Sequence, residues 1–247
     1  MKIEKVTTMA KVKEALLTLH LKTMADILEE TLKKGGKENL SSLNILHILA
    51  SHEMAARQER LVKTRITQAR FPIVKTIDAF DFSFPKSVSK SQIMNLYDLT
   101  FIEEKSNVIF MGSPGTGKTH LAIALGYLAC LAGIKTRFTT AMNLINQLSA
   151  SLADNSLLNA IKTFTSPRLL IIDELGFLPV DKQGAELLFQ VISNRYECGS
   201  IVVTTNRAFR DWGKILNNDN TLASATIDRL VHHGTLVQIK GDSYRVK

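Results

Sequence analysis

The chain has 247 residues, 45% apolar and 22% charged, which is typical of a globular protein with room for one large and one small domain. A formal net charge of +8 and a pI of about 9.5 indicate a polyanionic partner, most often a nucleic acid. The two cysteines fit no disulfide or metal-ligand pattern, and the longest uncharged stretch, Leu121–Ile134, is too short to cross a bilayer. These features exclude a disulfide scaffold and predict a cytoplasmic protein with no membrane partner.

Two helices are predicted in the N-terminal region. Leucine, isoleucine and methionine recur at helical spacing over residues 9–34, and Gly35-Gly36 is expected to end this first helix. Ser41 or Ser42 can cap a second helix that runs to about Arg70.

The second half of the second helix is basic. We interpret it as a DNA-binding region whose cations contact phosphates. The alternative is an ordinary solvated helix face, with Glu53 and Glu59 among the cations. The candidate DNA-contacting residues are Arg57, Arg60, Lys63, Arg65 and Arg70.

Residues 71–90 are predicted to be a linker, because Phe71-Pro72 breaks the helix. Phenylalanines at 80, 82 and 84 alternate before Pro85. They are expected to dock the linker on the following domain, and base stacking is the alternative use. A further helix and a turn are predicted between Ser87 and Lys105.

A phosphate-binding loop follows. The apolar run at 108–111 enters a sequence that reads G-x-x-x-x-G-K-T, and a helical pattern leaves it. The glycines allow successive N–H groups to point at one anion, and the following helix adds its positive N-terminal end. Lys118 can reach the β- and γ-phosphates and Thr119 can hold Mg²⁺. The candidate nucleotide-binding residues are Gly112, Ser113, Pro114, Gly115, Thr116, Gly117, Lys118 and Thr119.

From Asn107 onward, strands and helices alternate, which predicts a parallel sheet with helices on both faces. The predicted strands are 107–111, 135–139, 168–173, 200–205 and 235–240. The predicted helices are 118–132, 141–152, 155–163, 181–197 and 222–232.

An apolar strand ending in Asp173-Glu174 looks like a Walker B element. Open α/β sheets place ligands at the carboxyl ends of their strands, so Asp173 is expected to bind Mg²⁺ through water. Glu174 is then positioned to polarise the attacking water as a general base.

Three further residues are catalytic candidates. Asn206 ends the next strand and can orient the attacking water, or it simply caps the following turn. Arg229 and Arg195 can each reach a neighbouring subunit's γ-phosphate as an arginine finger. The alternative for each arginine is an internal ion pair, with Asp228 and Glu197 as local partners.

Taken together, these elements resemble the AAA+ ATPases of the DnaA and DnaC type, and in detail the IstB-like ATP-binding proteins of bacterial insertion sequences. The ATPase motifs alone indicate an AAA+ ATPase, and the linker and both ends of the chain narrow the resemblance to the IstB-like proteins. The matching segments are 69–72 with 75–76, 80–82, 112–119, 171–174, 194–197, 204–206, 228–230 and 243–245.

The resemblance implies an AAA+ P-loop core over residues 91–247, without a full C-terminal lid, preceded by a small all-α domain over 1–70. It implies a transposition helper that binds ATP and Mg²⁺, assembles with itself on double-stranded DNA and engages the transposase. Arg229 matches the family's arginine-finger position, which makes Arg195 secondary. Without a lid, Arg245 is the weak substitute for a Sensor II arginine, and an open, filament-like assembly is favoured over a closed ring.

Two other functions remain open at this point. A DnaC-like helicase loader would share the ATPase core and act mainly through a protein partner. A small-molecule P-loop kinase is permitted by the loop alone, but Glu174, Asn206 and Arg229 suit attack by water better than phosphoryl transfer to a metabolite.

Overall fold

The computed structural model describes residues 2–83, 89–241 and 243–244, with side chains from residue 8 onward. The predictions that fall on Phe84, Pro85, Ser87 and Arg245 lie outside the described residues. The chain divides into two compact units, residues 1–64 and 65–247.

The first unit is helical, but its first predicted helix is two helices. Helix α1 spans Lys2–Thr18, α2 spans Lys22–Lys37, and α3 spans Ser42–Ala69 and continues into the second unit. His20 adopts a left-handed backbone conformation, φ 57°, between α1 and α2. A single helix over 9–34 was therefore the wrong prediction, whereas the second helix begins and ends within one residue of its predicted limits.

A distant carboxylate explains where α2 begins. Leu21, at the N-cap position, supplies no side-chain cap, and Glu53 of α3 accepts a hydrogen bond from the Met24 backbone N–H at 3.0 Å. Burial raises the pKa of Glu53, but hydrogen bonds from the Met24 backbone and the Arg60 guanidinium outweigh it, so the pKa is lowered overall. The local sequence around residue 20 contains no sign of this tertiary cap.

The glycine pair does not end α2, because both glycines lie in its last turn. A Cβ atom on Gly35 would stand 2.7 Å from Cδ1 of Ile45. Gly35 therefore allows α2 to approach α3 closely, and it does not end the helix. The small core of this unit centres on Met24, Leu28 and Leu49.

In the second unit the described residues form a five-stranded, all-parallel sheet in the order β2-β3-β4-β1-β5. All five predicted strands are present, with ends shifted by no more than two residues. The strands are β1 Asn107–Gly112, β2 Thr136–Thr140, β3 Leu169–Leu175, β4 Ser200–Thr205 and β5 Gly234–Ile239.

The five predicted helices of this unit are also present. They are α6 Lys118–Leu131, α7 Ala141–Ala153, α8 Leu157–Thr165, α9 Lys182–Arg195 and α11 Asn220–Val231. The segment before β1 forms two short helices, α4 Lys90–Leu96 and α5 Thr100–Glu103, divided by the left-handed Leu99. The sequence patterns missed a 3₁₀ turn at Phe209–Asp211 and the short helix α10, Trp212–Ile215.

Alternate side chains of the central strands β3 and β4 enter two different cores. On β3, Leu170 and Ile172 face a core shared with α7, α9 and α11, while Leu169 and Ile171 face a core shared with α6. Phe71, Phe80 and Phe82 of the predicted linker pack on the α6 core. No described helix is both long and apolar enough to cross a membrane.

Candidate nucleotide site

The loop between β1 and α6 has the backbone shape of an anion cradle. Gly115 and Gly117 have positive φ angles of 78° and 90°, which side-chain-bearing residues rarely adopt. At Gly112 a Cβ atom would stand 2.1 Å from the carbonyl oxygen of Ile239 on β5. Each glycine is thus required by geometry, and the loop leads directly into the N-terminus of α6, where Gly117 at the N-cap position has no side chain to cap the helix. A helix N-terminus of this kind favours a bound anion.

Lys118 lies inside this loop. Its side chain is buried, and Nζ donates hydrogen bonds to the carbonyl oxygens of Gly112 at 2.8 Å and Ser113 at 2.7 Å. Thr116 Oγ1 also donates to the Ser113 carbonyl, at 2.8 Å. The ammonium is therefore held within the Gly-rich loop, as the predicted phosphate contact requires.

A buried carboxylate lies beside the loop. Thr119 Oγ1, in the first turn of α6, donates to Asp173 Oδ1 at 2.9 Å and Oδ2 at 3.2 Å. Asp173 is only 4% exposed, and among the described residues no lysine, arginine or histidine forms a salt bridge with it. A hydroxyl and a carboxylate at this distance fit the oxygen ligands that Mg²⁺ prefers.

Glu174 differs from its neighbours on β3. It has a left-handed backbone, φ 59°, at the point where the register between β3 and β4 shifts. Its side chain is exposed, whereas Asp173 and Leu175 are buried. A strained non-glycine residue that turns one carboxylate out of a strand is a recurrent feature of functional sites.

Thr204 of β4 joins the two acidic residues. Its Oγ1 accepts a hydrogen bond from the Glu174 backbone N–H at 3.0 Å and donates to Asp173 Oδ1. Sequence reasoning missed Thr204, although its place two residues before Asn206 on the strand next to β3 was a usable signal. One hydroxyl therefore fixes both the Asp173 carboxylate and the unusual Glu174 backbone.

Asn206 lies at the same edge of the sheet. Thr205 pairs with Met111 of β1, so Asn206 follows at the level where the phosphate-binding loop begins. Its side chain is half-buried. The parallel strand order therefore brings the loop, Asp173, Glu174 and Asn206 to one edge, the carboxyl edge of the sheet.

A cavity of about 490 Å³ adjoins the loop. It is lined by the segment 72–81, the residues 115–120 and Tyr244. His120 is held by a 2.8 Å hydrogen bond between its Nε2 and the carbonyl of Thr76, and the Tyr244 backbone N–H donates to the Gly115 carbonyl at 3.0 Å. The size of this cavity and its lining of polar and apolar residues suit a nucleoside. No residue of this cavity outside 112–119 was predicted as a nucleotide contact.

Arg195 does not fit the predicted arginine-finger role. Its side chain is 1% exposed, and its guanidinium donates to five backbone carbonyls. Those acceptors belong to Phe164, Thr165, Pro167, Arg168 and Ser200. Burial lowers the pKa of Arg195 to about 10. The prediction was wrong because Arg195 ties the α8–β3 loop to β4, and its carbonyl partners replace the expected pair with Glu197.

Arg229 lies at the opposite, amino edge of the sheet. Its backbone carbonyl accepts a hydrogen bond from the Asn107 side chain at the start of β1. Its guanidinium lies 4.8 Å from the centroid of the Phe189 ring, and Nη1 donates to the Ala225 carbonyl. Since β1 spans about 20 Å, Arg229 cannot reach the phosphate-binding loop of its own chain.

The predicted DNA-contacting cations fall into two groups. Arg57 and Arg60 form salt bridges with the buried Glu53, at 3.4 and 2.9 Å, and Lys63 pairs with Glu59 at 2.7 Å. Arg65 and Arg70 belong to the second unit and form no salt bridge to a described carboxylate. Each of the first three has a carboxylate partner, so charge alone does not identify the DNA contact.

Comparisons of the sequence with a family model and with known proteins agree on one family. The family model described as IstB-like ATP binding protein matches residues 14–247. A Geobacillus stearothermophilus protein of insertion sequence IS5376, named as ATP-binding, is 42% identical over 229 residues, covering 93% of this chain and 91% of that protein. A similarly named IS21 protein from Pseudomonas aeruginosa is 39% identical, covering 95% and 88%.

Two solved structures are similar in fold to about two thirds of this chain. The crystal structure of the DnaC helicase loader matches with a TM-score of 0.55 and 25% identity, over 67% of this chain and 96% of that one. The AMPPCP-bound DnaA of Aquifex aeolicus matches with a TM-score of 0.55 and 21% identity, over 66% and 49%. The second likeness concerns the fold alone.

Proposed function

Because this chain belongs to the IstB-like ATP-binding family, we propose that it hydrolyses ATP to control its own assembly on double-stranded DNA during transposition. ATP and Mg²⁺ are its nucleotide and metal, and the transposase of the same element is its protein partner. It acts in the bacterial cytoplasm, on the nucleoid. The observation that carries the proposal is the buried Asp173 carboxylate, bonded to Thr119 of the phosphate-binding helix and followed by the exposed Glu174.

The residues at the carboxyl edge of the sheet have different roles in ATP hydrolysis. The loop amides and Lys118 bind the β- and γ-phosphates. Thr119 and Asp173 would hold Mg²⁺, which would neutralise phosphate charge. Glu174 takes a proton from water as the water oxygen bonds to the γ-phosphorus. The bond from that phosphorus to the β–γ bridging oxygen breaks, and ADP leaves with the electron pair. Asn206 orients the water.

Assembly couples to this site through Arg229. Because Arg229 lies at the amino edge of its own sheet, its guanidinium can serve only the nucleotide of a neighbouring subunit. ATP then favours the assembled state by bridging two subunits, and hydrolysis removes that preference.

Arg229→Ala is expected to bind ATP normally and to lose at least about 100-fold in hydrolysis, because a trans-acting arginine finger typically contributes about 10³–10⁵ in rate. The measurement is steady-state phosphate release on long duplex DNA. Mixing this variant with inactive Lys118→Ala subunits should restore part of the rate, since a mixed boundary joins an intact loop to an intact Arg229.

Arg210→Ala, which removes an exposed arginine of the same unit, is the matched control and should retain the wild-type rate. Failure of the mixture to recover any activity would contradict action between subunits.

The likeness to the DnaC helicase loader supports a second candidate, a loader of a replicative helicase. Such a protein would depend on a helicase partner and on single-stranded DNA. The deciding experiment is the ATP hydrolysis rate of the purified chain alone, with long duplex DNA and with single strands. Strong stimulation by duplex supports the transposition helper, whereas stimulation by single strands alone, or by neither, favours the loader.

A further inference from the structure

We propose that a second anion site, separate from the nucleotide site, binds a backbone phosphate of DNA in a cavity at the amino edge of the sheet. The cavity has a volume of about 620 Å³ and is lined by the ends of α3 and α8 and the start of β2. The inference rests on the proposed DNA binding and assigns it a location.

The lining of this cavity is strongly cationic. Of the described residues that line it, four are basic and none is acidic. None of the four forms a salt bridge with a carboxylate in the part of the chain that the structure describes. The four cations are Arg70 at the end of α3, Lys135 and Arg137 around the start of β2, and Lys162 on α8.

Arg137 is the unusual member of this set. Its side chain is only 7% exposed, and its Nε is buried with no hydrogen-bond partner among the residues that the structure describes. The guanidinium lies 6.0 Å from the centroid of the Phe164 ring, which offers a π face in place of a carboxylate. Burial, and then the neighbouring Arg70, lower the pKa of Arg137. A buried cation with a second cation beside it is costly unless an anion joins them.

The donors suit a phosphate group. Two guanidinium groups can each present paired N–H donors to phosphate oxygens, and Lys135 and Lys162 add point charges at the rim. Lys135 and Lys162 are exposed, so the cavity opens to solvent on the side where a long polyanion would lie. A net charge of +8 adds a long-range attraction for such a polymer.

The cavity is distinct from the nucleotide site. Arg137 pairs with Leu170 of β3, three residues before Asp173, so about 10 Å of strand separates the two levels. The phosphate-binding loop lies beyond the carboxyl ends of the strands, whereas the cavity lies where β2 and β3 begin. Nucleotide and DNA phosphate can therefore bind at the same time.

The test replaces Arg70 and Lys162, which are both exposed at the rim of the cavity, because replacing the buried Arg137 risks unfolding the protein. The variant is Arg70→Gln with Lys162→Gln, and its matched control is Lys182→Gln with Lys214→Gln, which removes two exposed cations elsewhere in the same unit. Binding of a labelled 60-base-pair duplex is measured from about 50 to 300 mM salt with saturating AMPPCP, after melting curves verify folding. The rim variant is expected to bind at least about tenfold more weakly and to lower the salt slope by about 1–2, with the control unchanged.

The possible results distinguish failure of the phosphate site from failure of the proposed function. Wild-type duplex binding with an unchanged salt slope in the rim variant would overturn the site and leave the proposed function intact. If wild-type protein with AMPPCP binds no duplex, the proposed function fails and the inference fails with it.

A second arm distinguishes a free anion from DNA. Sodium phosphate is titrated against sodium chloride at equal ionic strength, with AMPPCP present, and the melting temperature is recorded. Stabilisation of the wild type but not the rim variant, together with equal salt slopes on DNA, would mean a site for small free anions and would overturn the DNA assignment.

Discussion

Lys118→Ala is expected to weaken ATP binding by about 10²–10⁴-fold. Hydrogen bonds to charged groups contribute about 1.5–3 kcal/mol each, and Lys118 is placed to make one with each of the β- and γ-phosphates. Its Nζ already lies within the loop, 2.8 Å from the Gly112 carbonyl and 2.7 Å from the Ser113 carbonyl. Titration of a fluorescent ATP analogue measures the loss.

The substitution also removes a donor from two loop carbonyls, so a second variant is needed to separate charge from packing. Lys118→Met keeps most of the aliphatic stem and should lose affinity to nearly the same degree. Lys182→Ala, which removes an exposed lysine from α9, is the matched control. ATP affinity within about twofold of wild type in both Lys118 variants would contradict the role of this residue in phosphate binding.

Glu174→Gln is expected to slow hydrolysis by about 10²–10⁴-fold while leaving ATP affinity nearly unchanged. Proton transfer by a positioned base contributes an acceleration of about this size. Glutamine keeps the shape of the side chain and the backbone hydrogen bond to Thr204, at 3.0 Å, but it cannot accept the proton. Single-turnover hydrolysis and ATP affinity are measured on the same preparation.

The assembled form provides an independent measurement for this variant. If ATP favours assembly and hydrolysis ends it, Glu174→Gln should stay assembled on duplex DNA long after wild type has dissociated, as followed by light scattering. Glu186→Gln, which changes an exposed glutamate of α9, should behave as wild type. A Glu174→Gln protein that hydrolyses ATP at the wild-type rate would show that another group takes the proton.

A mutational test of DNA binding by the basic half of α3 cannot simply replace its arginines. Replacing Arg57 and Arg60 together would leave Glu53, which is 3% exposed, without its salt-bridge partners and would disturb the cap of α2. A loss of DNA binding in such a variant could arise from misfolding. Adding Glu53→Gln to both the variant and its reference removes that ambiguity.

Local sequence patterns correctly predicted most helices and strands of the second unit. Strands and helices were predicted closely because β-branched runs, helical spacing and Gly-rich turns act over a few residues. The loop from Gly112 to Thr119 was evident because its glycine positions are fixed by backbone conformation. The short helix α10 was missed, since four residues give too little periodicity to detect.

The sequence by itself determined the alternating α/β architecture, the phosphate-binding loop and the acidic pair at the end of β3, because each depends on neighbours along the chain. The tertiary structure decided what each isolated polar residue does. In the folded protein Arg195 is buried among five carbonyls, and Thr204 lies between Asp173 and Glu174. Glu53 accepts a hydrogen bond from the start of α2. Arg70 and Arg137 line the same cavity. These roles arise from contacts between residues far apart in the chain, which no local pattern encodes.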